Sequence, residues 1–235
     1  EISACLVGSE MCIRDRSAVI PKQFIEIGGV PVIVRTVRAF LAVEEIDMVY
    51  VGIKPDWHKY TDELFERFGI DKERIRVIDG GADRNGTVMN IAEAIVAEHG
   101  ENEGDIILTH DAVRPFVTEK IIKDNIEAMR EHSACGTYMP AADTIIRSDG
   151  EKIRETLNRS ELYQAQTPQT FRLGDLRRNY YSLSEEQNKK LTDTCSVFTA
   201  CNEDIYLVVG DALNFKITTD SDLRMANALA ELGEK

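Results

Sequence analysis

One stretch of the sequence decides the fold: residues 47–81, DMVYVGIKPDWHKYTDELFERFGIDKERIRVIDGG. It begins with an apolar run of strand length at 47–53, continues with a helical pattern of apolar residues at 56–68, and returns to a strand-like run at 74–78. A strand, a helix and another strand in this order form a unit whose two strands run parallel in one sheet. The stretch therefore predicts an α/β protein.

The same alternation continues along the chain. The later elements are predicted as a helix at about 88–98, a strand at 105–109, a helix from Thr118 to about 130, and strands at 206–209 and 214–218. Thr219 with Asp222 predicts a capping box at the start of the last helix. No internal repeat or linker divides the sequence, so residues 17–235 are expected to form a single domain with a doubly wound, mainly parallel, Rossmann-like sheet.

Residues 143–157 break this pattern. Apolar and polar residues alternate at 143–147 and at 152–157, on either side of the sequence SDGE. Because Asp-Gly suits a tight turn, a β-hairpin is predicted here. A hairpin inserted into a doubly wound domain is either a lid or an arm that joins two subunits.

The composition excludes several classes of function. The chain has 235 residues, 43% hydrophobic and 29% charged, as in ordinary globular proteins. Its formal net charge of −13 argues against a general nucleic-acid or anionic-membrane surface. No apolar run approaches the roughly 20 residues that span a bilayer, and no signal-peptide pattern is present, so a cytoplasmic location is expected. The five cysteines form no C-x-x-C pair and no histidines stand at metal-ligand spacing, which favours free thiols over a zinc site.

Five short motifs contain the side chains suited to chemistry: PKQF (21–24), GGADRN (80–85), THDAVRPF (109–116), YQAQTPQ (163–169) and NFKIT (214–218). Ligands of an open α/β sheet bind beyond the carboxyl ends of its strands, which places 80–87 and 110–115 on one rim. Singly, each motif has a structural explanation: Lys22 and Lys216 as surface charges, and the two glycines as a turn after a strand. For Asp111, which follows a buried strand, a loop cap and a metal ligand are both open.

Together, the five motifs fit the transfer of a nucleotidyl group. That reaction needs a cation and lysines to neutralise a triphosphate, a backbone cradle for the phosphates, and an oriented nucleophile. Mg²⁺ keeps several waters and takes only one or two carboxylates, so Asp111 alone suffices as its protein ligand.

The motifs PKQF, GG-x-x-R, HDAVRPF, QTPQTF, LTD and NFKIT also occur in the order and spacing of the cytidylyltransferases that make CDP-methylerythritol and CDP-ribitol. The resemblance covers about residues 20–229. It implies the fold of the nucleotide-diphospho-sugar transferases, with CTP and a polyol phosphate as substrates and pyrophosphate as a product. GGADRN, THDAVRPF, LYQAQTPQTF and LTDTC are more similar to the branch that uses D-ribitol 5-phosphate. The 2-C-methyl-D-erythritol 4-phosphate branch, which tends towards HDAARP and TDE, remains the alternative.

The resemblance implies a role for each matching residue. The catalytic residues would be Lys22, Lys216 and Arg114, and the nucleotide-binding residues would be Gly80, Gly81, Arg84, Thr87, Asp111, Thr167 and Thr192. Asp111 would also hold Mg²⁺. In a homodimer joined by the hairpin arm, Thr144 and Arg159 would bind the polyol phosphate of the neighbouring subunit. Arg159 suits a phosphate because its guanidinium can bind two oxygens at once, although a surface ion pair with Glu155 or Glu161 is an alternative.

The N-terminus departs from the family pattern. Cytidylyltransferases of this type open with a strand and an A-G-G-x-G-x-R-M loop, whose amides bind phosphate, shortly before PKQ. This chain has EISACLVGSEMCIRDRSAVI there. Residues 6–16 are also the translation of a DNA string that resembles a transposase-type sequencing adapter. We therefore expect residues 1–16 to be an artefact that replaces the native first strand and Gly-rich loop, and that leaves a groove within the sheet. An authentic divergent N-terminus is the alternative.

Two rival functions are kept open by these residues. The missing Gly-rich loop would suit an inactive nucleotide-binding module on the same fold. The presence of Lys22, Asp111, Arg159 and Lys216 speaks against that module. A glycosyltransferase that uses a sugar nucleotide usually carries a D-x-D metal motif at the strand end. The sequence His110-Asp111-Ala112 does not provide one.

Overall fold

The computed structural model describes residues 1–8 and 20–233. The strands are β1 (Ile2–Val7), β2 (Glu26–Ile27), β3 (Val30–Pro31), β4 (Met48–Ile53), β5 (Ile75–Asp79), β6 (Ile106–Asp111), β7 (Ala134–Pro140), β8 (Ile146–Ser148), β9 (Ile153–Thr156), β10 (Tyr163–Arg172) and β11 (Tyr206–Val209). The helices are α1 (Val32–Leu41), α2 (His58–Arg67), α3 (Arg84–His99), α4 (Glu119–Ala128), α5 (Leu173–Ser182), α6 (Glu185–Asn188), α7 (Cys195–Ala200) and α8 (Asp220–Gly233). Single turns of 3-10 helix lie at Lys22–Phe24, Pro55–Trp57, Lys72–Arg74 and Arg159–Glu161.

The main sheet confirms the predicted fold class. Its strands lie in the order β11-β7-β10-β6-β1-β4-β5. β1 is parallel to β4 and β6, β4 to β5, and β7 to β11, whereas β10 runs antiparallel to β6 and β7. The sheet is therefore mainly parallel, and the carboxyl ends of β1, β4, β5 and β6 meet at one edge, where such sheets bind ligands.

β1 lies at the centre of this sheet. It pairs with β6 up to Val7 opposite Asp111, and with β4 up to Val7 opposite Gly52. The N–H of Gly8 then donates to the carbonyl of Gly52 at 3.1 Å. The chain therefore leaves β1 next to Asp111, at the ligand-binding edge.

This position of β1 corrects one expectation for the N-terminus. The expectation that residues 1–16 supply no first strand, and leave a groove in its place, is wrong for residues 2–7. A central strand is covered on both faces, so it shows no polar alternation, and small residues such as Ser3 and Cys5 are buried in it. The rest of the suspected artefact, residues 9–16, lies outside the described residues.

The two faces of β1 belong to two different hydrophobic clusters. Ala4 and Leu6 pack with α1, α2 and α4, whereas Cys5 and Val7 pack with α3, α5 and α7. This division follows from the two-residue period of a strand and is what a doubly wound sheet requires. None of the helices in the described part of the chain is both long and apolar enough to cross a membrane.

The last predicted strand is also corrected. Residues 214–218 follow an irregular path, because both edges of β6 are already paired with β1 and β10. Their polar groups bond to loops instead: Ile217 N–H donates to Val113 O at 3.0 Å, and Arg114 Nη1 donates to Asn214 O at 2.8 Å. The capping box that follows is confirmed, because Thr219 and Asp222 exchange backbone-to-side-chain hydrogen bonds of 2.7 and 3.2 Å.

The predicted hairpin at 143–157 is present as β8 and β9, which form a separate two-stranded antiparallel sheet. Every residue of the two strands is exposed, including the apolar side chains of Ile146 and Ile153. Gly150 in the turn has a φ of 101°, a left-handed conformation that glycine adopts without steric cost. We call β8, β9 and their turn the arm.

An aromatic cluster fixes the 3-10 turn that contains Lys22. The ring of Phe24 lies 5.2 Å from that of Trp57 and 5.0 Å from that of Tyr60, measured between centroids. Such ring pairs add to the free energy gained by burial, about 0.5–1.5 kcal/mol each. The cluster ties the PKQF motif to the start of α2.

Candidate active site

Asp111 lies at the centre of the candidate site, at the last position of β6. Three cations surround its carboxylate: Arg84 Nε is 3.1 Å from Oδ1, whereas Arg114 Nε and Lys216 Nζ are each 3.2 Å from Oδ2. The three cations come from α3, from the loop after β6 and from the irregular segment before α8. Four predicted residues that are far apart in sequence are thus brought together.

The pKa of Asp111 reflects these neighbours. Burial alone would raise the pKa of this carboxyl, but Arg84, Lys216 and Arg114 outweigh burial and hold the pKa well below its ordinary value. The group is therefore ionised at neutral pH, as a metal ligand must be.

The Gly80-Gly81 turn lies at the carboxyl end of β5, just before Arg84, which contacts Asp111. The N–H of Gly81 donates to Thr87 Oγ1 at 2.9 Å, and the Thr87 hydroxyl donates to the carbonyl of Asp83 at 2.9 Å. A Cβ on Gly81 would lie 2.4 Å from the backbone of Gly86, so no side chain fits there. The glycine therefore lets the turn close against the first turn of α3, where amide groups favour an anion.

The two lysines differ in exposure. Lys22 is buried, and its Nζ donates to the carbonyl of Thr218 at 2.7 Å. Lys216 lies two residues before Thr218 and is 40% exposed. The hydrogen bond from Lys22 therefore ties the PKQF turn to the segment that carries Lys216.

A third side of the site is formed by the loop before α7. Arg84 Nη1 donates to Thr194 Oγ1 at 2.6 Å, while Gln169 accepts from the backbone N–H of Thr194 and donates to Asp193 Oδ2 at 2.6 Å. Thr192, the residue that the resemblance suggests, is exposed. The hydroxyl that accepts from Arg84 belongs to Thr194, two positions later.

His110 is fully buried beside Asp111. Its Nδ1 lies 2.9 Å from Thr167 Oγ1, and its Nε2 lies 3.1 Å from the carbonyl of Arg114. Burial lowers the pKa of His110 to about 3, so the ring is neutral at physiological pH. Thr167 Oγ1 accepts in turn from the N–H of Asp111 at 3.1 Å.

A cavity of about 200 Å³ opens above these groups. Its lining includes six of the predicted or neighbouring residues of the rim, together with the end of β1: Val7, Gly8, Asp83, Arg84, Thr87, Asp111, Val113 and Lys216. Thr144 and Arg159 do not line it. They belong to the region of the arm, where Arg159 Nη1 donates to the carbonyl of Ala142 at 2.9 Å.

The donor set fits magnesium better than a metal that takes most of its ligands from protein. Among residues 1–8 and 20–233, no group of three His, Cys, Asp or Glu side chains is placed to hold a metal ion. Asp111 offers one ionised carboxylate at a cationic rim. Mg²⁺ takes one or two carboxylates and completes its shell with water and phosphate oxygens, so this arrangement suits it.

Sequence reasoning missed His110, Gln169 and Thr194. The first two stand within the quoted motifs THDAVRPF and QTPQ, next to residues that were selected, so proximity in the motif was an available signal. Thr194 carried no comparable signal, because LTDTC offers two threonines and only the fold decides which one faces Arg84.

Comparisons with known proteins identify one matching family and several similar structures. Residues 8–231 match the family model of 2-C-methyl-D-erythritol 4-phosphate cytidylyltransferase, IspD. The chain is similar to the 4-diphosphocytidyl-2C-methyl-D-erythritol synthase of Anaerococcus prevotii, with 29% identity, a TM-score of 0.81 and 98% of both chains covered. It is also similar to the 2-C-methyl-D-erythritol 4-phosphate cytidylyltransferase of Francisella tularensis, with 26% identity, a TM-score of 0.81, and 97% of this chain and 99% of that chain covered.

Proposed function

Because the chain belongs to the IspD family of cytidylyltransferases, we propose that it transfers CMP from CTP to a polyol phosphate, D-ribitol 5-phosphate, and that it forms CDP-ribitol and pyrophosphate. The observation that carries the proposal is the cationic rim around Asp111. Three cations lie within 3.2 Å of one carboxylate, in a protein whose net charge is −13. Such a local excess of positive charge is suited to a triphosphate.

The reaction we propose is in-line attack by a phosphate oxygen of the acceptor on the α-phosphorus of CTP. The P–O bond to the β-phosphate breaks, and pyrophosphate leaves with the bonding electron pair. Lys22, Lys216 and Arg114 stabilise the negative charge that develops on the α-phosphate and on the leaving group. Mg²⁺, held by Asp111, supplies further positive charge for the triphosphate when it is bound.

Nucleotide selection is assigned to the Gly80-Gly81 turn and its neighbours. Because Gly81 has no side chain, the turn closes against the first turn of α3 at the carboxyl end of β5, and Thr87 fixes its shape. Arg84 and Thr167 hold Asp111 from two sides. A cytosine base recognised by backbone groups would be distinguished from uracil at C4, where a backbone carbonyl can accept from the amino group of cytosine and is repelled by the carbonyl oxygen of uracil.

D-Ribitol 5-phosphate is proposed as the acceptor on the basis of the motifs GGADRN, THDAVRPF, LYQAQTPQTF and LTDTC. In the structure, Thr194 of LTDTC contributes a neutral hydroxyl to Arg84, at a place where the other branch tends to have an acid. The second candidate is 2-C-methyl-D-erythritol 4-phosphate, which is favoured by the matching family model and by the proteins of similar structure.

Pyrophosphate release with the two acceptors, compared side by side with Mg²⁺ and CTP, decides between them. We expect kcat/KM to be at least about tenfold higher with D-ribitol 5-phosphate, the discrimination that about 1.4 kcal/mol provides. A preference for the methylerythritol substrate would overturn the acceptor assignment and leave the reaction class intact. CTP binding without turnover of either acceptor would indicate the inactive nucleotide-binding module.

A homodimer joined by the arm completes the proposal. The arm exposes Ile146 at 43% and Ile153 at 65%, and apolar side chains of this size gain free energy when a partner covers them. Thr144 and Arg159 lie at the two ends of the arm and away from the cavity of their own chain. In the proposed dimer, they bind the acceptor phosphate in the site of the partner subunit.

A further inference from the structure

We propose that His110 is a positioning residue, held as the Nε2–H tautomer, which fixes Asp111 and Arg114 in the geometry that nucleotidyl transfer requires. The activity part of this proposal rests on the proposed function, whereas the assignment of the tautomer does not.

The hydrogen-bond partners determine the tautomer. The carbonyl of Arg114, 3.1 Å from Nε2, has no proton to give, so Nε2 must carry the hydrogen and donate. Nδ1 of the neutral ring is then an acceptor, and the Thr167 hydroxyl, 2.9 Å away, donates to it. Having given its one proton to His110, the Thr167 oxygen is free to accept from the N–H of Asp111 at 3.1 Å. We call these three hydrogen bonds, which link Asp111, Thr167, His110 and the Arg114 carbonyl, the relay. Each of them has one defined donor and one defined acceptor.

The relay replaces backbone pairing where the sheet ends. Residues of β10 pair with β6 as far as Gln169 opposite Thr109, and the pairing stops there. Beyond that point, Thr167 of β10 holds the last two residues of β6, because its hydroxyl contacts His110 Nδ1 and accepts from the N–H of Asp111. The tilted ring of Phe40, with its centroid 5.0 Å from that of the imidazole, fixes the plane of the His110 ring.

The same relay also closes the loop after β6. Arg114 Nε contacts Asp111 Oδ2, and the N–H of Arg114 donates to the carbonyl of Asp111 at 3.0 Å. The bond from His110 to the Arg114 carbonyl holds the other side of the same peptide region. The imidazole is fully buried and does not line the cavity, so it acts through Asp111 and Arg114.

The first test is spectroscopic and needs no variant. Long-range ¹H–¹⁵N correlation spectra of the histidine-labelled protein distinguish the two neutral tautomers. We expect the His110 signals to show Nε2 protonated and Nδ1 bare. A spectrum that shows the Nδ1–H tautomer, or a mixture of both, would overturn the proposal whether or not the protein proves to be a cytidylyltransferase.

The second test uses matched variants in the pyrophosphate-release assay. Thr167→Ser keeps the hydroxyl, whereas Thr167→Val has the same shape and lacks it. His110→Asn keeps an acceptor near Nδ1 but cannot reach the Arg114 carbonyl, and His110→Gln keeps only the donor near Nε2. We expect Thr167→Ser to retain activity within about threefold. The other three variants should lose about 10- to 100-fold in kcat/KM for CTP, with the KM of the acceptor unchanged within about twofold.

Normal turnover by His110→Asn and His110→Gln would show that the imidazole does not position the site. If a variant fails to fold by circular dichroism, the comparison of Thr167→Ser with Thr167→Val and the wild-type spectrum still decide. If the wild-type protein turns over neither acceptor, the Kd for CTP with Mg²⁺ replaces kcat/KM as the quantity compared. In that case the proposed function fails, and the proposal for His110 is decided by the tautomer spectrum and by this Kd.

Discussion

The cationic rim around Asp111 and the arm differ in how completely a single chain builds them. At the rim, each predicted cation has a defined contact: Arg84, Arg114 and Lys216 bind one carboxylate, which is itself buried. In the arm, every residue of β8 and β9 is exposed, and the strands pair only with each other. Under the proposed function, one chain would suffice for binding the nucleotide, whereas binding of the acceptor would depend on what the arm contacts.

Deleting the arm tests this difference most directly. Removal of residues 143–157 should give monomers by light scattering and abolish pyrophosphate release, because Thr144 is removed and Arg159 loses the arm that would place it in the site of the partner subunit. The Kd for CTP with Mg²⁺, measured by isothermal titration calorimetry, should stay within about twofold, since the rim is built from other segments. The N–H of Ala141 donates to Leu162 O at 2.9 Å, so the chain segments that flank the deletion are paired without the arm.

The double variant Ile146→Ser with Ile153→Ser is the matched control for that deletion. It keeps the length of the arm and removes the apolar side chains that a partner would cover. We expect weaker dimerisation and partial activity. A deletion variant that remains dimeric and active would make the arm a surface hairpin without a role in the acceptor site.

Removal of single charges from the rim should lower the catalytic activity. Asp111→Ala and Lys216→Ala are expected to lower kcat/KM by at least about 100-fold while the fold persists, as is typical of single electrostatic stabilisers in active sites. Asp111→Asn separates charge from shape, and Lys190→Ala, an exposed lysine paired with Glu186, is the neutral control. Near-normal turnover by either rim variant would remove that residue from the site.

Much of this contrast could be predicted from the sequence, because both regions have local signals. The β4–α2–β5 unit follows from the period of its apolar residues, and the arm follows from alternation around Asp149-Gly150. β1 could not be predicted in the same way, because Ser3, Ala4 and Cys5 make its apolar run weaker than the run that identifies β4. The choice between Thr192 and Thr194, and the partners of His110, depend on how loops pack, which a local pattern does not determine.

The segment after β1 gives a third prediction. Replacing residues 9–16 so that Gly8 is followed by G-x-G-x-R-M should lower the Kd for CTP with Mg²⁺ about tenfold, because successive glycine amides can point at one phosphate and the acids Glu10 and Asp15 are removed. Thermal stability should change little, since β1 is already in place. Equal affinity in the two proteins would mean that the present segment is functional and that the adapter interpretation is wrong.

The smallest effect concerns pH, and it too separates the rim from the arm. A histidine whose pKa falls from 6.5 to about 3 on folding binds a proton in the unfolded chain and not in the native one. Below about pH 6.5, its contribution therefore lowers the free energy of unfolding by about 1.4 kcal/mol per pH unit, and it has no effect above that pH. Asp111, whose pKa is lowered by its cations, adds a further loss only in stronger acid, below about pH 4.

Urea titrations between about pH 7 and pH 5 measure this slope. His110→Asn should reduce the slope by up to about 1.4 kcal/mol per pH unit, the effect of one bound proton. Deletion of the arm, which contains no histidine, should leave the slope unchanged. An unaltered slope in His110→Asn would show that the acid sensitivity arises elsewhere in the chain.

The aromatic cluster beside Lys22 has a practical consequence. Trp57 is the single tryptophan of the chain, and its ring lies 5.2 Å from that of Phe24. Phe24 belongs to the same 3-10 turn as Lys22. Its fluorescence therefore comes from one place, and any shift of the PKQF turn changes the polarity and the quenching groups around the indole. The emission of the unmodified protein can thus report, without a label, when this side of the site responds to a nucleotide, and at what rate.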